Sequence, residues 1–346
     1  MRDYRFDVAR VLCMTYIVAF VHLYAYIYPN VISANVIPAC AILCDACLGL
    51  FTFISGCLLG KKYSFGEKSE ITVGNFFKKR IIRIIPLFVL SAVALWLINF
   101  NGTRATINGL LCISPFVTPR PMTLWYIPVI LLCYCITPII SRKTLRSRVR
   151  NCLFVFALLL GISWLVPKTD NRLLFNAFFF MVGVISATCF DWKFNFRHGN
   201  LIKQLISIVF LILLCIGQLK ANFHLNAYRT IVAGIGVFPL LFVCEYISNY
   251  FFGSDNAIGN GWKGQICRLI SLVSYASMAC YMFHRLFFWA GEKIYNPDVA
   301  SIKWTYMAGL VFPVILYLSY LIQRYYDSIV NRFNSKPPSN RKVFNY

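Results

Sequence analysis

The sequence predicts an all-α, polytopic membrane protein with about ten transmembrane helices and with both termini in the cytoplasm. Of its 346 residues, 59% are hydrophobic and only 13% are charged, and its mean hydropathy is +0.66. A water-soluble chain of this length cannot bury so much apolar surface in its core. The apolar runs are continuous rather than alternating, which favours helices over a β-barrel.

Ten apolar segments approach the length that a membrane-spanning helix needs. The first is interpreted as a retained span, because it is longer than the apolar region of a secretory signal and carries His22. The fifth is short. The predicted spans lie near residues 8–28, 37–60, 81–99, 122–141, 151–166, 173–190, 204–219, 229–249, 270–291 and 303–323. We expect one membrane domain over residues 1–346, without an appended soluble domain.

The distribution of basic residues predicts the orientation of these spans. If the N-terminus is cytoplasmic, 25 of the 34 lysines and arginines lie on that side, mostly in the loop Lys61–Arg83, the loop Arg142–Arg150 and the tail from Arg324. Cytoplasmic loops of membrane proteins are enriched in basic residues, so this asymmetry supports both the orientation and the span count. The net charge of +22 therefore indicates topology and contact with anionic lipid headgroups. It does not indicate nucleic-acid binding, because the charges lie in boundary loops.

The 14 cysteines do not predict a metal site. Cys40, Cys44 and Cys47 would share roughly one helical face, but no histidine or carboxylate accompanies them at ligand spacing. Nearly all the cysteines lie in apolar stretches, where this side chain is a small packing residue. We therefore expect packing cysteines and no bound metal.

Ionisable side chains inside spans are costly in lipid and are candidates for function. His22, Asp45 and His284 lie at similar distances from the predicted outer ends of their spans, which places all three about 10 Å below the outer surface. A carboxylate beside an imidazole fixes its tautomer and stabilises its cation. His22 and Asp45 are therefore predicted to form a general-base pair. The alternative is that each side chain only bonds a backbone carbonyl or a water molecule between helices.

A basic motif, KKRIIRIIP, begins the third span. Its Arg80 and Arg83 are three residues apart, so on a helix they project from one face at the membrane boundary. Their guanidinium groups suit a phosphate-rich ligand. Ordinary anchoring to lipid headgroups is the alternative.

Five motifs occur in order along the chain: RVLCMTYIVAFVH with Arg10 and His22, GLFTFISGCLLG with Ser55-Gly56, FFKKRIIRIIP with Arg80 and Arg83, LWYIPVILLCYCITPII with Trp125, Tyr134 and Pro138, and SYASMACYMFH ending at His284. In this order, on a ten-span topology, they resemble the acyltransferase 3 family. Members of that family are membrane enzymes that transfer acyl groups, usually acetyl, from cytoplasmic acyl-CoA to extracytoplasmic saccharides. The resemblance extends from about Phe6 to Arg285.

The resemblance implies that Arg80 and Arg83 bind the phosphates of the donor, acetyl-CoA or another acyl-CoA, with Arg10 as a further binding residue. The pantetheine arm of the donor would extend from the cytoplasmic face towards His22. Arg10 and His22 are twelve residues apart, or about 18 Å along a helix, a distance that an extended arm can cover. The donor would then stay in the cytoplasm while the acceptor stays outside.

The resemblance also implies an acetyl-CoA-dependent O-acetyltransferase, multi-pass in the plasma (inner) membrane of a bacterium. His22 would be the general base that deprotonates the acceptor or a transient carrier of the acyl group, and Asp45 and His284 complete the predicted catalytic set. The acceptor would be a saccharide or a lipid-linked glycan. The sequence indicates neither which acceptor is used nor the oligomeric state.

The spacing of Arg10 and His22 departs from the family pattern, which has ten intervening residues. Here eleven intervene, Val11–Val21, which turns the two side chains about 120° apart on a regular α-helix. Either the helix contains a local bulge, as functional sites often do, or Arg10 is not the equivalent residue.

Two other functional classes are weighed against an enzyme. A proton-coupled transporter of a small solute or lipid-linked sugar would also use buried histidine and aspartate. The two halves of the chain show no obvious repeat, however, and a transporter would not need Arg80 and Arg83 at the cytoplasmic mouth. A scaffold protein would leave His22 and Asp45 inside the membrane without a reason. The sequence therefore favours the enzyme.

Overall fold

The computed structural model describes most of the chain, and every regular element within the described ranges is helical. Those ranges are residues 4–28, 38–65, 72–189, 199–219, 226–252 and 261–334. Several predicted features lie outside them: residues 66–71 of the loop Lys61–Arg83, most of the loop Lys193–Lys203, the tail beyond Asn334, and the end residues Ile37 and Phe190 of two predicted spans.

The described ranges contain thirteen α-helices and two π-helical segments. The α-helices are α1 (Tyr4–Thr15), α2 (Leu23–Ile27), α3 (Pro38–Lys62), α4 (Val73–Leu97), α5 (Thr103–Leu110), α6 (Tyr126–Ile140), α7 (Leu145–Leu165), α8 (Asn171–Cys189), α9 (Gly199–Leu219), α10 (Asn226–Phe252), α11 (Trp262–Ile294), α12 (Ala300–Tyr306) and α13 (Phe312–Asn334). The π-helical segment Tyr16–His22 joins α1 to α2, and Met307–Val311 joins α12 to α13.

Each of the ten predicted spans falls on one of these helical segments, so the all-α fold is confirmed for the described residues. Within those residues, seven helices are long and apolar enough to cross a membrane. The helix α6 and the stretch Ile202–Ile216 of α9 are shorter apolar helices. Ten crossings and cytoplasmic positions for both termini therefore stay predictions.

The fifth span is longer than its apolar run predicts. The helix α7 begins at Leu145 and has 21 residues, so it includes part of the predicted loop Arg142–Arg150. Arg148 lies in its first turns and is buried. The Arg148 guanidinium donates hydrogen bonds to the carbonyls of Val184, at 2.9 Å, and Gly60, at 3.0 Å. This basic residue therefore ties α3, α7 and α8 together instead of facing solvent.

The helices α3 and α8 cross at two glycines. A Cβ atom added to Gly56 would lie 2.1 Å from the carbonyl oxygen of Phe180, and one added to Gly183 would lie 2.2 Å from that of Phe53. Small residues allow membrane helices to approach this closely. The glycine of the Ser55-Gly56 motif thus has a packing role.

The first helical segment, from α1 to α2, lies inside the bundle against α3, α10 and α11. Its Ala9 and Val18 are fully buried. We call the end of the bundle that holds Lys61 and Arg80 the basic end, and the end that holds Thr123 and Arg285 the opposite end. The first segment connects the two, with Arg10 towards the basic end and His22 towards the opposite end.

Candidate active site

The π-helical segment Tyr16–His22 resolves the unusual spacing of the first motif. A π-helix bonds i to i+5 and so takes one more residue per turn than an α-helix. One of the eleven residues between Arg10 and His22 is absorbed in this way, which returns the two side chains to within about 20° of each other. Of the two interpretations left by the sequence, the structure shows the bulge.

His22 contacts His284, which comes from α11. The His22 Nδ1 atom lies 2.7 Å from the His284 Nε2 atom. The ring planes are within 3° of parallel, and the ring centroids are 4.8 Å apart. Because the nitrogens are much closer than the centroids, the rings meet edge to edge, as an N–H···N hydrogen bond requires. The two histidines that the sequence placed at one depth therefore form a pair.

The partners of His284 determine which nitrogen of His22 carries a proton. The His284 Nδ1 atom lies 2.8 Å from the carbonyl of Tyr281 and 3.2 Å from that of Cys280. A carbonyl only accepts, so His284 Nδ1 carries the hydrogen and His284 Nε2 is the acceptor in the neutral ring. His22 Nδ1 must then be the donor. The lone pair of His22 is consequently on Nε2, which is the basic nitrogen of the pair.

Asp45 does not orient His22, so the predicted His22–Asp45 pair is wrong. The Asp45 Oδ2 atom accepts a hydrogen bond of 2.6 Å from Arg229 Nε. A carboxylate inside a membrane protein is stabilised most by a cation that it contacts directly, and Arg229 of α10 supplies that cation. The depth of Asp45 did not reveal this partner, because depth leaves the rotation of α3 about its axis undetermined.

Arg285 is a site residue that sequence reasoning missed. It follows His284 directly, and its charge acts on both imidazoles. Its Nε atom donates to the Thr123 hydroxyl at 3.2 Å. Arg285 lies inside the predicted span 270–291, so an arginine within an apolar run was the available signal.

Two aromatic rings, rather than a carboxylate, surround the Arg285 guanidinium. Its central carbon lies 5.3 Å from the ring centroid of Tyr26 and 5.5 Å from that of Phe100. Within the described ranges it forms no ion pair. The side chain is thus a half-buried cation with neutral neighbours.

A carboxylate-paired cluster lies at the same end of the bundle. Asp170 is buried and contacts Arg172 at 2.6 Å and Arg120 at 3.3 Å. Burial alone would raise the pKa of Asp170, but hydrogen bonds and charge from Arg172, with the charge of Arg120, outweigh it and lower that pKa below its ordinary value. Arg172 also stacks on Trp125, 3.7 Å from its ring centroid. These arginines are neutralised, unlike Arg285.

At the basic end, Arg80 is enclosed by three aromatic rings. Its guanidinium carbon lies 5.8 Å from the ring centroid of Tyr63, 5.9 Å from that of Phe76 and 5.6 Å from that of Tyr134. The Nε atom is buried and has no hydrogen-bond partner in the described part of the protein. Aromatic faces attract a cation without neutralising it. The motifs FFKKRIIRIIP and LWYIPVILLCYCITPII therefore meet at Arg80, whose Nε donor is unused among the described residues.

Arg83 is more exposed than Arg80, three residues before it on the same helix. Arg83 is exposed, and its charge acts on Tyr275 of α11. The Tyr275 hydroxyl donates to Asp327 at 2.5 Å. Tyr275 and Asp327 line a polar cleft of about 540 Å³ between α11 and α13, together with Arg324, Ser328, Asn331 and Arg332. The basic motif thus combines one arginine among aromatic rings with one exposed arginine.

Arg10 is engaged by a neighbouring carboxylate. Its Nη1 atom lies 3.3 Å from Asp7 Oδ1, and the same oxygen accepts a hydrogen bond of 2.6 Å from the Ser274 hydroxyl. Ser274 opens the fifth motif, so Asp7 links the first and last motifs at the basic end. Sequence reasoning missed Asp7 because it precedes the predicted start of the first span by one residue.

No metal centre is found in the described part of the chain, since no three histidine, cysteine or acidic side chains there are placed to hold an ion. An apolar groove of about 1000 Å³ among α7, α8, α9 and α10 also contains none of the predicted site residues. The chemistry-bearing groups are therefore those between the first helical segment, α4, α6 and α11.

A family model described as an acyltransferase domain matches residues 3–324. This match includes all five motifs and continues beyond Arg285, where the motif resemblance ends, into α13. No curated protein and no solved structure matches the chain. Because the family model covers most of the sequence, the chain belongs to the acyltransferase 3 family of membrane acyltransferases.

Proposed function

We propose that the protein is a membrane O-acyltransferase that moves an acyl group, most simply acetyl, from cytoplasmic acyl-CoA to a hydroxyl of an extracytoplasmic or lipid-linked saccharide. The observation that carries this proposal is the His22–His284 hydrogen bond of 2.7 Å. A base must present a lone pair in a fixed direction to act on an alcohol. His284, which bonds the His22 ring, fixes that direction.

In the proposed reaction, His22 Nε2 takes the proton of the acceptor hydroxyl as the hydroxyl oxygen attacks the thioester carbonyl carbon. A C–O bond forms, and the carbonyl π electrons move onto the oxygen. When the carbonyl re-forms, the C–S bond breaks and the CoA thiolate leaves with the proton from His22. In the two-step alternative, His22 Nε2 attacks the thioester carbonyl carbon, and the C–S bond breaks to release the CoA thiolate. The acceptor oxygen then attacks the same carbon, the C–N bond to His22 breaks, and the hydroxyl proton passes to the thiolate.

Arg80 supports the donor half of this proposal. Its guanidinium is held in place by three rings, yet its Nε atom has no hydrogen-bond partner among the described residues. A phosphate of the donor could therefore accept charge-assisted hydrogen bonds from this guanidinium. Arg83, which is exposed, would bind a second phosphate. Arg10, on the same helical face as His22, would lie beside the pantetheine arm.

The orientation is part of the proposal. Both termini would be cytoplasmic, which places Arg80 on the donor side and His22 near the outer face of the plasma (inner) membrane. A reporter that is active only in the cytoplasm, fused after the last residue, tests this arrangement. Activity of a periplasmic reporter at that position would reverse the donor route and contradict the mechanism.

The activity itself is tested with labelled acetyl-CoA and membranes that carry either the wild-type protein or the His22→Ala variant. Removing a general base should lower acyl transfer by about 10²–10⁴-fold. Tyr28→Phe, at the exposed end of the same helical segment, is the matched control and should transfer normally. Full transfer by His22→Ala would overturn the assignment. Mass analysis of surface glycans from cells with and without the gene would then identify the acyl group and its acceptor.

A further inference from the structure

We propose that Arg285 stabilises the negative charge that forms on the thioester carbonyl oxygen during transfer. This inference rests on the proposed function and adds a residue to it. In the reaction above, that oxygen becomes an oxyanion when the acceptor attacks, and its charge passes to the CoA sulfur when the carbonyl re-forms. A cation held beside the histidine pair is placed to bind that oxyanion.

Arg285 lies on the same side of the first helical segment as the histidine pair, because its guanidinium carbon is 5.3 Å from the ring centroid of Tyr26, four residues after His22. It is adjacent in sequence to His284, whose ring bonds His22, and its charge acts on both rings. The Tyr26 hydroxyl bonds the Arg285 carbonyl at 3.2 Å, so the π-helical segment and α2 are joined to α11 on this side as well. Base and guanidinium are consequently held by the same pair of helical segments.

Within the described part of the chain the Arg285 charge has no carboxylate partner, whereas Arg120, Arg172 and Arg229 each have one. Arg172 and Arg229 each lie 2.6 Å from a carboxylate oxygen, and Arg120 lies 3.3 Å from one. Arg285 has instead a hydroxyl and two aromatic rings as neighbours. An unpaired charge in a membrane protein is costly and marks functional sites. A transient anion would satisfy this guanidinium only while the reaction is under way.

The Arg285 side chain is also oriented before the reaction begins. Thr123, which is 3% exposed, accepts from Arg285 Nε, and its carbonyl accepts a hydrogen bond of 2.6 Å from the Tyr281 hydroxyl. A guanidinium is planar and presents several N–H donors at fixed angles. Donors that are already aimed at the developing charge lower the barrier more than donors that must reorganise.

The test measures transfer kinetics of purified full-length protein in lipid nanodiscs, with Arg285→Met to remove the charge and Arg285→Lys to keep it without the planar group. Arg285→Met should lower kcat by about 10²–10³-fold and leave the KM of donor and acceptor unchanged. Arg285→Lys should have a kcat between those of the wild type and Arg285→Met. Lys293→Met removes a charge from the exposed last turn of the same helix and should leave kcat unchanged.

A second readout separates an electronic role from a structural one. Chloroacetyl-CoA forms an oxyanion that is already stabilised because chlorine withdraws electrons. The kcat of Arg285→Met, relative to the wild type, should therefore fall less with this donor than with acetyl-CoA. If Arg285→Met does not fold, Thr123→Val, which frees the guanidinium, should lower kcat by about tenfold with the same dependence on the donor.

Two results would overturn the inference. One is that Arg285→Met changes neither kcat nor the acceptor KM. The other is a raised acceptor KM at unchanged kcat, which would make Arg285 a binding residue for an anionic acceptor. In either case, wild-type transfer that His22→Ala abolishes would leave the proposed function standing. Absence of transfer by the wild type, or full transfer by His22→Ala, would remove the proposed function as well.

Discussion

Arg80 at the basic end and Arg285 at the opposite end are both held by aromatic rings, yet their surroundings differ. Three rings surround Arg80 at 5.6 to 5.9 Å, and its buried Nε has no partner in the described ranges. Arg285 has two rings, a bond to Thr123, and a pair of hydrogen-bonded histidines beside it. The basic end therefore holds a cation without a base, and the opposite end holds a cation next to a base.

This difference separates binding from chemistry. Ring faces hold a cation in place without directing its donors, which suits a phosphate that is bound equally in the ground state and the transition state. The His22–His284 pair is directional, because the hydrogen of each ring is assigned to its Nδ1 atom and the lone pair to its Nε2 atom. Changes at Arg80 should therefore alter the affinity for the donor, while changes at the histidine pair should alter the rate.

The largest effect is expected for His284→Leu. Without an acceptor for its Nδ1 hydrogen, His22 would populate both tautomers and rotate, so kcat should fall by about 10²–10⁴-fold while the KM of acyl-CoA stays constant. His284→Gln, whose side-chain oxygen can accept the same hydrogen, should recover part of the rate. Single-turnover transfer in nanodiscs measures both variants. An unchanged rate for His284→Leu would show that the tautomer is set in another way.

Arg80→Met should have a smaller and different effect. Loss of charge-assisted hydrogen bonds to a phosphate should raise the KM of acyl-CoA by about 10–100-fold and weaken its salt dependence, with kcat unchanged. The neighbouring Lys79→Met, an exposed residue of the same motif, controls for loss of a positive charge at the membrane boundary. If Arg80→Met lowers kcat and leaves the KM of acyl-CoA unchanged, the separation of binding and chemistry between the two ends is wrong.

The smallest effect, on stability alone, is expected for Asp170→Asn. Because the folded-state pKa of Asp170 is lowered, its contribution is present above the ordinary carboxyl value and is lost as pH falls through the folded value. At pH 7 the variant should be less stable by about 1–3 kcal/mol, and this difference should shrink in strongly acidic solution. Thermal unfolding in detergent measures it, with Asp298→Asn, an exposed residue, as the control. A difference that grows on acidification would contradict the ion-pair account.

Local features of the chain were sufficient for the fold class and for part of the site. Hydropathy depends on composition along each segment, so the helical spans could be predicted without knowing their neighbours. The depth of His22 and His284 follows from counting residues along a helix. The bulge at Tyr16–His22 followed as one of two interpretations from a one-residue change in spacing. All of these are properties of single helices.

Contacts between helices were decided only by the tertiary structure. His22 is bonded to His284 rather than Asp45, and Arg229 takes the Asp45 carboxylate. The rings around Arg80 come from Tyr63, directly after α3, from α4 and from α6. Hydropathy sets where a helix lies in depth, but the rotation of each helix about its axis depends on packing against all its neighbours. The sequence by itself thus determined a helical membrane acyltransferase-like chain with its charged residues in place, and packing decided which of them meet.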